Sequence, residues 1–357
     1  MNNIVLIIDS LVKAGAEITN VRLANMFIKA GYSVHIISLK NEIKIELSEQ
    51  INFHTLYYKK SKLPFNDNLF AKKLGELLNR IPNKKLILGS LGLSHKLMNY
   101  IDKKFNFYYV LHGNTTNAKM ANKNGLRKKL KKIQLEKLYT NKNIIAVSNG
   151  VKNDILTLNI KPKFIKTIYN PFNFDEIYQK SLEKIDINLD YNYIIHVGRF
   201  AKVKRHDILI RAFSSLDDKN LKLILIGDGE ERQNIESLIK ELNLKDRIIL
   251  LGFLENPYPY IKNAKLLISS SENEGFGNII IEALCLNIPV VSTSTIGSKE
   301  ILEDIFPQLL CKINDVEDLS KKINYVLKNK SLNLNKPNFY KFNSSNIISF
   351  YEEIFLL

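Results

Sequence analysis

A repeated rhythm of short apolar run, turn and helix-period segment most constrains the fold of this 357-residue chain. Near its start, Asn3–Asp9 is apolar and β-rich, apolar residues from Ile18 to Ile28 have helical spacing, and Ser33–Leu39 is again apolar. Strand, helix and strand in this order build a parallel sheet. The same rhythm predicts further strands at Lys85–Leu88, Phe107–Leu111, Asn143–Val147, Tyr193–Val197, Lys222–Ile226, Arg247–Leu251, Lys265–Ser269 and Ile288–Ser292. The sequence therefore predicts an α/β fold with parallel sheets.

The length and the break in the rhythm indicate two domains. A chain of 357 residues is too long for one ordinary core. The turn-forming pair Asn170–Pro171 is followed by a polar, acidic stretch in which the periodicity is lost. Near the end, Ser344 is a suitable helix cap before apolar residues at helical spacing. We predict a Rossmann-like domain at 1–172, a linker at 173–192, a second Rossmann-like domain at 193–335 and a terminal segment with an amphipathic helix at 336–357.

The composition narrows the class of protein. Apolar residues make up 45% and charged residues 25%, the balance of a folded chain with a sizeable core. No run of about 18 apolar residues occurs, and the residues Met1–Ser10 do not have the order of basic, apolar and small residues that is typical of a secretory leader. Cys285 and Cys311 lie in apolar surroundings, which favours packing thiols in a reducing compartment. We therefore expect a cytoplasmic protein that does not span the membrane.

The positive charge is concentrated in the first half. The net charge is +16, yet residues 1–170 carry 29 Lys/Arg and 10 Asp/Glu, and residues 171–357 carry 23 and 26. The segment 119–142 holds one acid, Glu136, beside nine bases: Lys119, Lys123, Arg127, Lys128, Lys129, Lys131, Lys132, Lys137 and Lys142. Near an anionic lipid surface each base can add about 1 kcal/mol of binding energy.

The same segment contains an apolar stripe, formed by Leu126, Leu130, Ile133 and Leu138. The stripe and the charge together predict peripheral contact with an anionic membrane through Arg127, Lys128, Lys129, Lys131 and Lys132. The alternative is an exposed helix that packs this apolar side on its own sheet. That alternative explains the apolar positions but not the one-sided charge.

The most informative segment follows the predicted strand Lys265–Ser269. Gly275 and Gly277 allow the backbone to approach a ligand closely, and a helix begins near Asn278. A helix N-terminus directs N–H groups and a partial positive charge at an anion. Glu274 and Glu282 can each accept hydrogen bonds from a vicinal diol, a group that sugars and ribose supply.

Two other strand ends carry complementary residues. Arg199 and Lys204 follow the strand Tyr193–Val197, and a guanidinium with an ammonium suits a diphosphate leaving group. Gly227 follows a third strand and is expected to frame the same crevice. Lys202, Arg205 and His206 are expected to face solvent.

These segments resemble glycosyltransferase family 4, whose members are retaining enzymes of the GT-B architecture. The resemblance rests on VGRFAKVKRHDILIRAF, LIGDGEE, LGF and NPYPYIKNAKLLISSSENEGFGNIIIEALCLNIPVVST, and it covers the second half. The first half is similar more loosely, through Lys13–Glu17, Val110–Gly113 and Ile144–Gly150, with Ala14 where the family often has glycine. The resemblance implies two Rossmann-like domains facing a central cleft, with the C-terminal helix crossing back to the first domain.

The resemblance also implies residue roles. Glu274 would contact the donor sugar, Glu282 the ribose, and Arg199 with Lys204 the diphosphate. His112 would lie near the donor sugar and Gly15 would face the diphosphate. The catalytic candidates are Glu274, His112, Arg199 and Lys204. The donor-binding candidates are Gly15, Gly198, Arg199, Lys204, Gly227, Phe253, Glu274, Gly275, Phe276, Gly277, Asn278 and Glu282. The family generally needs no catalytic metal, and the chain has no Asp-x-Asp triplet, so we expect no metal and no cofactor beyond the nucleotide sugar.

The predicted function is retaining transfer of a hexose or N-acetylhexosamine, with a UDP-sugar as the expected donor. The expected acceptor is a lipid-linked, lipopolysaccharide or capsule-type glycan at the inner face of the cell membrane. A sugar-nucleotide epimerase or phosphorylase on the same architecture is the enzymatic alternative. A non-enzymatic polyanion binder would explain the charge but not Gly275–Glu282, and without a recognised nucleic-acid module no nucleic-acid partner is expected.

Overall fold

The computed structural model describes residues 2–12, 14–61, 65–120, 124–185, 189–329 and 339–355. The chain divides into two compact units, Met1–Phe172 with Tyr340–Leu357, and Asn173–Phe339. The domain boundary predicted at 335–336 lies outside the described residues. Each unit is an α/β domain with its own parallel sheet, so the predicted fold class is confirmed.

The first unit contains a seven-stranded sheet among its described residues. Its strands are β1 Asn3–Ile8, β2 Ser33–Ser38, β3 Ile51–Thr55, β4 Lys84–Ser90, β5 Phe107–Leu111, β6 Asn143–Ala146 and β7 Phe164–Thr167. Its helices are α1 Gly15–Lys29, α2 Asn66–Arg80, α3 Gly92–Ile101, α4 Thr115–Met120, α5 Gly125–Tyr139, α6 Asn149–Leu156 and the C-terminal α14 Ser344–Phe355. Every residue of β1 is buried, as expected for a strand covered on both faces.

The second unit contains a six-stranded sheet, again counted over described residues. Its strands are β8 Tyr193–Val197, β9 Lys222–Ile226, β10 Ile248–Gly252, β11 Leu266–Ser269, β12 Val290–Thr293 and β13 Leu310–Cys311. Its helices are α7 Phe174–Lys180, α8 His206–Ser214, α9 Arg232–Glu241, α10 Tyr258–Lys262, α11 Asn278–Cys285, α12 Ile296–Leu302 and α13 Val316–Lys328.

Each sheet has one point at which the strand order reverses. The orders are β3-β2-β1-β4-β5-β6-β7 and β10-β9-β8-β11-β12-β13, so the reversal lies between β1 and β4 and between β8 and β11. In open parallel sheets, ligands bind beyond the carboxyl ends of the strands at such a point. The loops after β1, β4, β8 and β11 are therefore where each unit is built to hold a ligand.

The segment predicted as a linker contains a helix. Asn173 accepts a hydrogen bond from the backbone N–H of Glu176 at 3.1 Å and thereby caps α7. Asp175 and Glu176 lie in the first helical turn, where their negative charge interacts favourably with the positive end of the helix dipole. The acidic stretch that the sequence suggested as a linker is thus partly a helix N-terminus.

The C-terminal helix α14 belongs to the first unit. Its buried residues are Ile347, Tyr351 and Ile354, which follow helical spacing. The Tyr351 ring meets the Phe27 ring of α1 edge-on, with centroids 5.5 Å apart. The segment before α14 is also anchored, because the backbone N–H of Phe172 donates to the carbonyl of Phe342 at 3.0 Å.

Candidate functional site

Two predicted donor residues meet at the strand-order reversal of the second unit. Lys204 follows β8, Glu274 follows β11, and the Lys204 ammonium forms an ion pair with the Glu274 carboxylate. The hydroxyl of Ser271 donates to the same carboxylate oxygen at 2.9 Å. The side chains of Lys204 and Glu274 are 23% and 18% exposed, so the pair is partly shielded from water. The sequence predicted both residues but not Ser271, which orients the carboxylate.

Two hydrogen bonds to backbone carbonyls connect the loop that contains Lys204 with the loop that contains Glu274. The hydroxyl of Ser270 donates to the carbonyl of Lys204 at 2.8 Å. The backbone N–H of Glu272 donates to the carbonyl of Val203 at 2.9 Å. The position of Lys204 relative to Glu274 is therefore set by the protein backbone as well as by the charge attraction.

One predicted glycine, Gly227, is required by close approach of the backbone. A Cβ atom on Gly227 would lie 1.9 Å from the carbonyl oxygen of Gly198, and the φ of Gly227 is +144°. Glycine at this position therefore allows the loops after β8 and β9 to touch. A Cβ atom on Gly198 would meet only side chains, Nε2 of His196 at 3.2 Å and the Lys204 side chain at 3.6 Å.

The glycine-rich loop after β11 leads into the helix α11, as the sequence predicted. Gly277 precedes the helix in the left-handed region, at φ +92°, which favours glycine. Glu282 lies inside the helix and is buried, and Phe276 is also buried. A Cβ atom on Gly297, at the start of α12, would lie 2.5 Å from the backbone of Phe276. Gly297 is thus a further required glycine of the site, and it lies outside the motif that drew attention to the loop.

Two other predicted donor residues lie on the surface of the second unit. The guanidinium of Arg199 is 60% exposed and pairs with Glu230 at 2.9 Å, in the loop after β9. Phe253, which follows β10, is 45% exposed. Arg199 therefore shares the loop of Lys204 without sharing its ion pair, and its role at a diphosphate stays a prediction.

One sequence expectation about this loop was wrong. Lys202 is exposed and Arg205 is partly buried, but His206 is buried rather than facing solvent. The ring of His206 meets the rings of His196 and Phe200 edge-on, with centroids 4.6 and 4.8 Å away. Aromatic packing at the start of α8 explains the burial.

His196, near the end of β8, was not predicted and is close enough to Lys204 to feel its charge. Its Nδ1 donates to the carbonyl of Ile268 on β11 at 2.9 Å, which leaves Nε2 without a proton. Among the described residues, Nε2 of His196 and Nε2 of His206 have no hydrogen-bond partner. Burial, and then the Lys204 charge, lower the pKa of His196 to about 4. The ring is thus neutral and adds no charge of its own beside Lys204.

The two predicted residues of the first unit follow β1 and β5. Gly15 is the first residue of α1 rather than part of a loop, and a Cβ atom there would meet nothing within 4 Å. Gly15 is therefore not needed to close a tight turn. His112 follows β5, and its Nε2 lies 3.2 Å from the hydroxyl oxygen of Ser90, the last residue of β4. Lys13, which precedes the glycine, lies outside the described residues.

The basic helix α5 leaves most of its apolar stripe in solvent. Leu126 is 71%, Leu130 57% and Ile133 39% exposed, whereas Leu138 is partly buried. The helix packs on its own unit through Leu135 and Tyr139. One side of the helix is thus packed, but packing on the sheet does not account for Leu126, Leu130 and Ile133. Within the described ranges, no helix has the length and apolar character needed to cross a bilayer.

Comparison with known proteins assigns the family. Residues 14–176 match the model described as Glycosyltransferase Family 4, and residues 178–340 match Glycosyl transferases group 1. A relative from Campylobacter jejuni is 31% identical over 346 residues, which cover 93% of this chain and 92% of that protein. The chain belongs to glycosyltransferase family 4. The relative's name is N-acetylgalactosamine-N,N'-diacetylbacillosaminyl-diphospho-undecaprenol 4-alpha-N-acetylgalactosaminyltransferase.

Two further comparisons concern a second relative and the fold. N-acetyl-alpha-D-glucosaminyl L-malate synthase from Bacillus anthracis is 25% identical over 96% of this chain and 93% of its own. The fold is that of HepE from Anabaena, solved with UDP and glucose, at TM-score 0.80 and 16% identity over the full length of both chains. The chain is therefore a glycosyltransferase of the GT-B fold class.

Proposed function

We propose that the chain is a retaining transferase that moves a hexose or N-acetylhexosamine from a UDP-sugar to a lipid-linked glycan at the cytoplasmic membrane face. The observation that carries the proposal is the Lys204–Glu274 pair at the reversal between β8 and β11. A cation for the diphosphate and a carboxylate for sugar hydroxyls stand side by side there. Arg199, Gly277 and Glu282 complete the proposed donor site.

The ion pair couples donor binding to site assembly. Without donor, Lys204 and Glu274 neutralise each other. When the diphosphate takes the Lys204 ammonium, the Glu274 carboxylate is released to accept hydrogen bonds from sugar hydroxyls. Phosphate and sugar are then bound side by side. A nucleoside diphosphate alone would bind Lys204 but would leave Glu274 without a partner.

The proposed transfer needs no protein nucleophile. The acceptor oxygen forms a bond to the anomeric carbon on the face from which the diphosphate leaves. The bond between that carbon and the diphosphate oxygen breaks, and the acceptor proton passes to the diphosphate. Lys204 stabilises the charge that develops on the leaving group. This course retains the anomeric configuration and requires no metal ion.

The acceptor proposal draws on relatives and on α5. The name of the Campylobacter relative includes a diphospho-undecaprenol-linked substrate. A lipopolysaccharide core glycosyltransferase from Rhizobium meliloti is 28% identical over 53% of this chain and 53% of its own. The exposed apolar stripe of α5, flanked by Arg127, Lys128, Lys129, Lys131 and Lys132, offers both the apolar and the cationic part of an interfacial helix.

Transfer assays test the donor site. Purified protein is mixed with radiolabelled UDP-sugars and membrane glycolipid, and Glu274→Ala and Lys204→Ala are expected to abolish transfer. Lys321→Ala serves as the matched control, because Lys321 forms an exposed ion pair with Glu317 on α13. Full activity of both site variants would overturn the site. Transfer to L-malate rather than to lipid would overturn the acceptor and favour the activity named for the Bacillus relative.

A further inference from the structure

A chain of hydrogen bonds links three side chains at the strand-order reversal of the first unit. Asn20 lies in α1 after β1, Ser90 ends β4, and His112 follows β5. The Ser90 hydroxyl lies 3.1 Å from Oδ1 of Asn20 and 3.2 Å from Nε2 of His112. Asn20 and Ser90 are buried. These hydrogen bonds thus connect α1 to His112, the predicted catalytic histidine.

The direction of every bond in this chain is determined. The Nδ2 group of Asn20 donates to the carbonyl of Ala16 at 2.8 Å, which fixes the orientation of the amide. Oδ1 of Asn20 can only accept, so the Ser90 hydroxyl donates to it. The Ser90 hydroxyl has one proton, so its oxygen accepts from Nε2 of His112. His112 therefore carries its proton on Nε2.

The backbone directly after Ser90 is strained. Leu91, the next residue, has φ +78° and ψ 176°, a region that residues other than glycine essentially never adopt. The carbonyl of Leu91 accepts from the Ser94 hydroxyl at 3.0 Å. The Asp9 carboxylate accepts from the N–H groups of Leu93 and Ser94 at 2.9 and 2.7 Å. Such strain persists only where surrounding bonds enforce it, and it is characteristic of preorganised sites.

We propose that Asn20 and Ser90 are positioning residues that hold His112 in the Nε2–H form, so that Nδ1 accepts a hydrogen bond from a substrate hydroxyl. Among the described residues, no group hydrogen-bonds to Nδ1 of His112. The inference rests on the proposed function, in which His112 lies near the donor sugar. It deepens that function because it assigns His112 to a hydroxyl rather than to a phosphate.

The charge state of His112 agrees with this assignment. Burial lowers the pKa of His112 to about 4. At pH 7 the ring is therefore uncharged. An uncharged ring with a bare nitrogen offers a hydroxyl an acceptor, whereas it repels the lone pairs of a phosphate oxygen.

The ring protonation can be tested without substrate. The nitrogen chemical shifts of ¹⁵N-labelled protein at pH 7 distinguish the two neutral forms of a histidine, and His112→Gln identifies the His112 signals. We expect a protonated Nε2 and a bare Nδ1 in the unmodified protein. In Ser90→Ala the acceptor is lost, so the two forms are expected to mix. A protonated Nδ1 in the unmodified protein overturns the inference, whatever the transfer assay gives.

Kinetics test the positioning role. Ser90→Ala is expected to lower kcat roughly tenfold, the cost of one hydrogen bond of about 1.4 kcal/mol, and Ser90→Thr, which keeps the hydroxyl, to restore most of it. Ser38→Ala is the matched control, because Ser38 is equally buried and donates to the Lys40 carbonyl at 2.7 Å, away from His112. An equal loss in Ser38→Ala, or no rescue by threonine, indicates a merely structural role and overturns the proposal.

The pH profile separates this inference from the proposed function. Asn20→Asp places a carboxylate one hydroxyl away from His112 and is expected to raise the pKa of the ring, which moves the acid limb of kcat/KM up by about one pH unit. An unmoved acid limb contradicts the proposed chain. If no UDP-sugar is transferred by any variant, the proposed function fails, while the nitrogen shifts still decide the state of His112.

Discussion

At the scale of single residues, two predicted donor glycines differ in what a methyl group would meet. In Gly227→Ala the new Cβ would lie 1.9 Å from the Gly198 carbonyl oxygen, at a φ of +144°. We expect the free energy of unfolding to fall by about 3 kcal/mol or more. In Gly15→Ala the Cβ enters open space at the first residue of α1, so stability is expected to stay the same or to rise slightly. Sugar transfer is expected to fall, because Gly15 is predicted to face the diphosphate. Urea unfolding measures the stability of both variants, and transfer assays measure their activity. Equal stabilities of the two variants would contradict the prediction.

The buried histidines make stability depend on pH. Burial lowers the pKa of His196 to about 4 and that of His206 to about 2, whereas in the unfolded chain both take up a proton below about 6.5. Stability is therefore complete above pH 6.5 and is lost as the pH falls, by about 1.4 kcal/mol per pH unit for each ring. Replacing one ring by phenylalanine, in His206→Phe, should reduce this slope accordingly between pH 6 and 5. Identical slopes in urea unfolding would show that His206 is not buried in its neutral form.

Sequence patterns located the residues of the donor site but not the directions of their side chains. Glycine spacing and strand ends indicated Lys204 and Glu274, which the structure brings together. His206 was expected to face solvent, yet Arg205 takes a left-handed φ of +50° directly before α8 and His206 packs inward. Arg199 turns to Glu230, a partner in a separate loop. Such choices depend on tertiary neighbours that no local pattern records.

At the scale of elements, the strands that the sequence did not predict lie at sheet edges. β3, β7 and β13 are the outermost strands of their sheets. An edge strand is less completely covered, so β3 and β7 are mostly only partly buried and contain polar residues, while β13 has two residues. Central strands such as β1 are covered on both faces and read as continuous apolar runs. Hydrophobic periodicity therefore predicted the central strands of both sheets but not all of the edge strands.

Substitutions on the two faces of α5 distinguish an effect on membrane binding from an effect on stability. Leu126→Ser with Leu130→Ser removes exposed apolar surface, so binding to anionic vesicles is expected to weaken while the melting temperature stays nearly unchanged. Leu135→Ser, on the buried face, is the contrasting variant and should lower the melting temperature. Sedimentation with vesicles and thermal unfolding measure the two effects.

Charge reversal tests the cationic part of the same helix. Glutamate at positions 127, 128, 129, 131 and 132 is expected to abolish binding to anionic vesicles, and raised salt should weaken the unmodified protein's binding. Binding that survives the reversal, or that is absent from the start, would show that α5 is not a membrane contact.

At the scale of the whole molecule, the charge and the chemistry are divided between the two halves of the sequence. Residues 1–170 carry a net charge of +19 and residues 171–357 a net charge of −3. Each unit also places its polar residues at its own strand-order reversal, Asn20 and Ser90 in the first and Lys204 and Glu274 in the second. A basic half suits a phosphate-bearing acceptor, and the other half carries the proposed donor site.

This division predicts which ligand stabilises the protein. A donor that binds only the folded chain raises the melting temperature, by the equivalent of about 2.7 kcal/mol at one hundred times its dissociation constant. Among UDP-, GDP-, ADP- and CDP-sugars we expect UDP-N-acetylhexosamines to give the largest shift, with EDTA present or absent. UDP alone should give less, since it engages Lys204 without occupying Glu274.

Variants of the ion pair show whether that shift comes from the proposed site. Lys204→Ala should remove most of the shift, because the diphosphate loses its cation, whereas Lys321→Ala should keep it. A larger shift with another base would refute the UDP-sugar donor and leave the family assignment intact. Loss of the shift in EDTA would refute metal independence. An undiminished shift in Lys204→Ala would mean that Lys204 contributes no binding energy to the donor and that the diphosphate is held elsewhere.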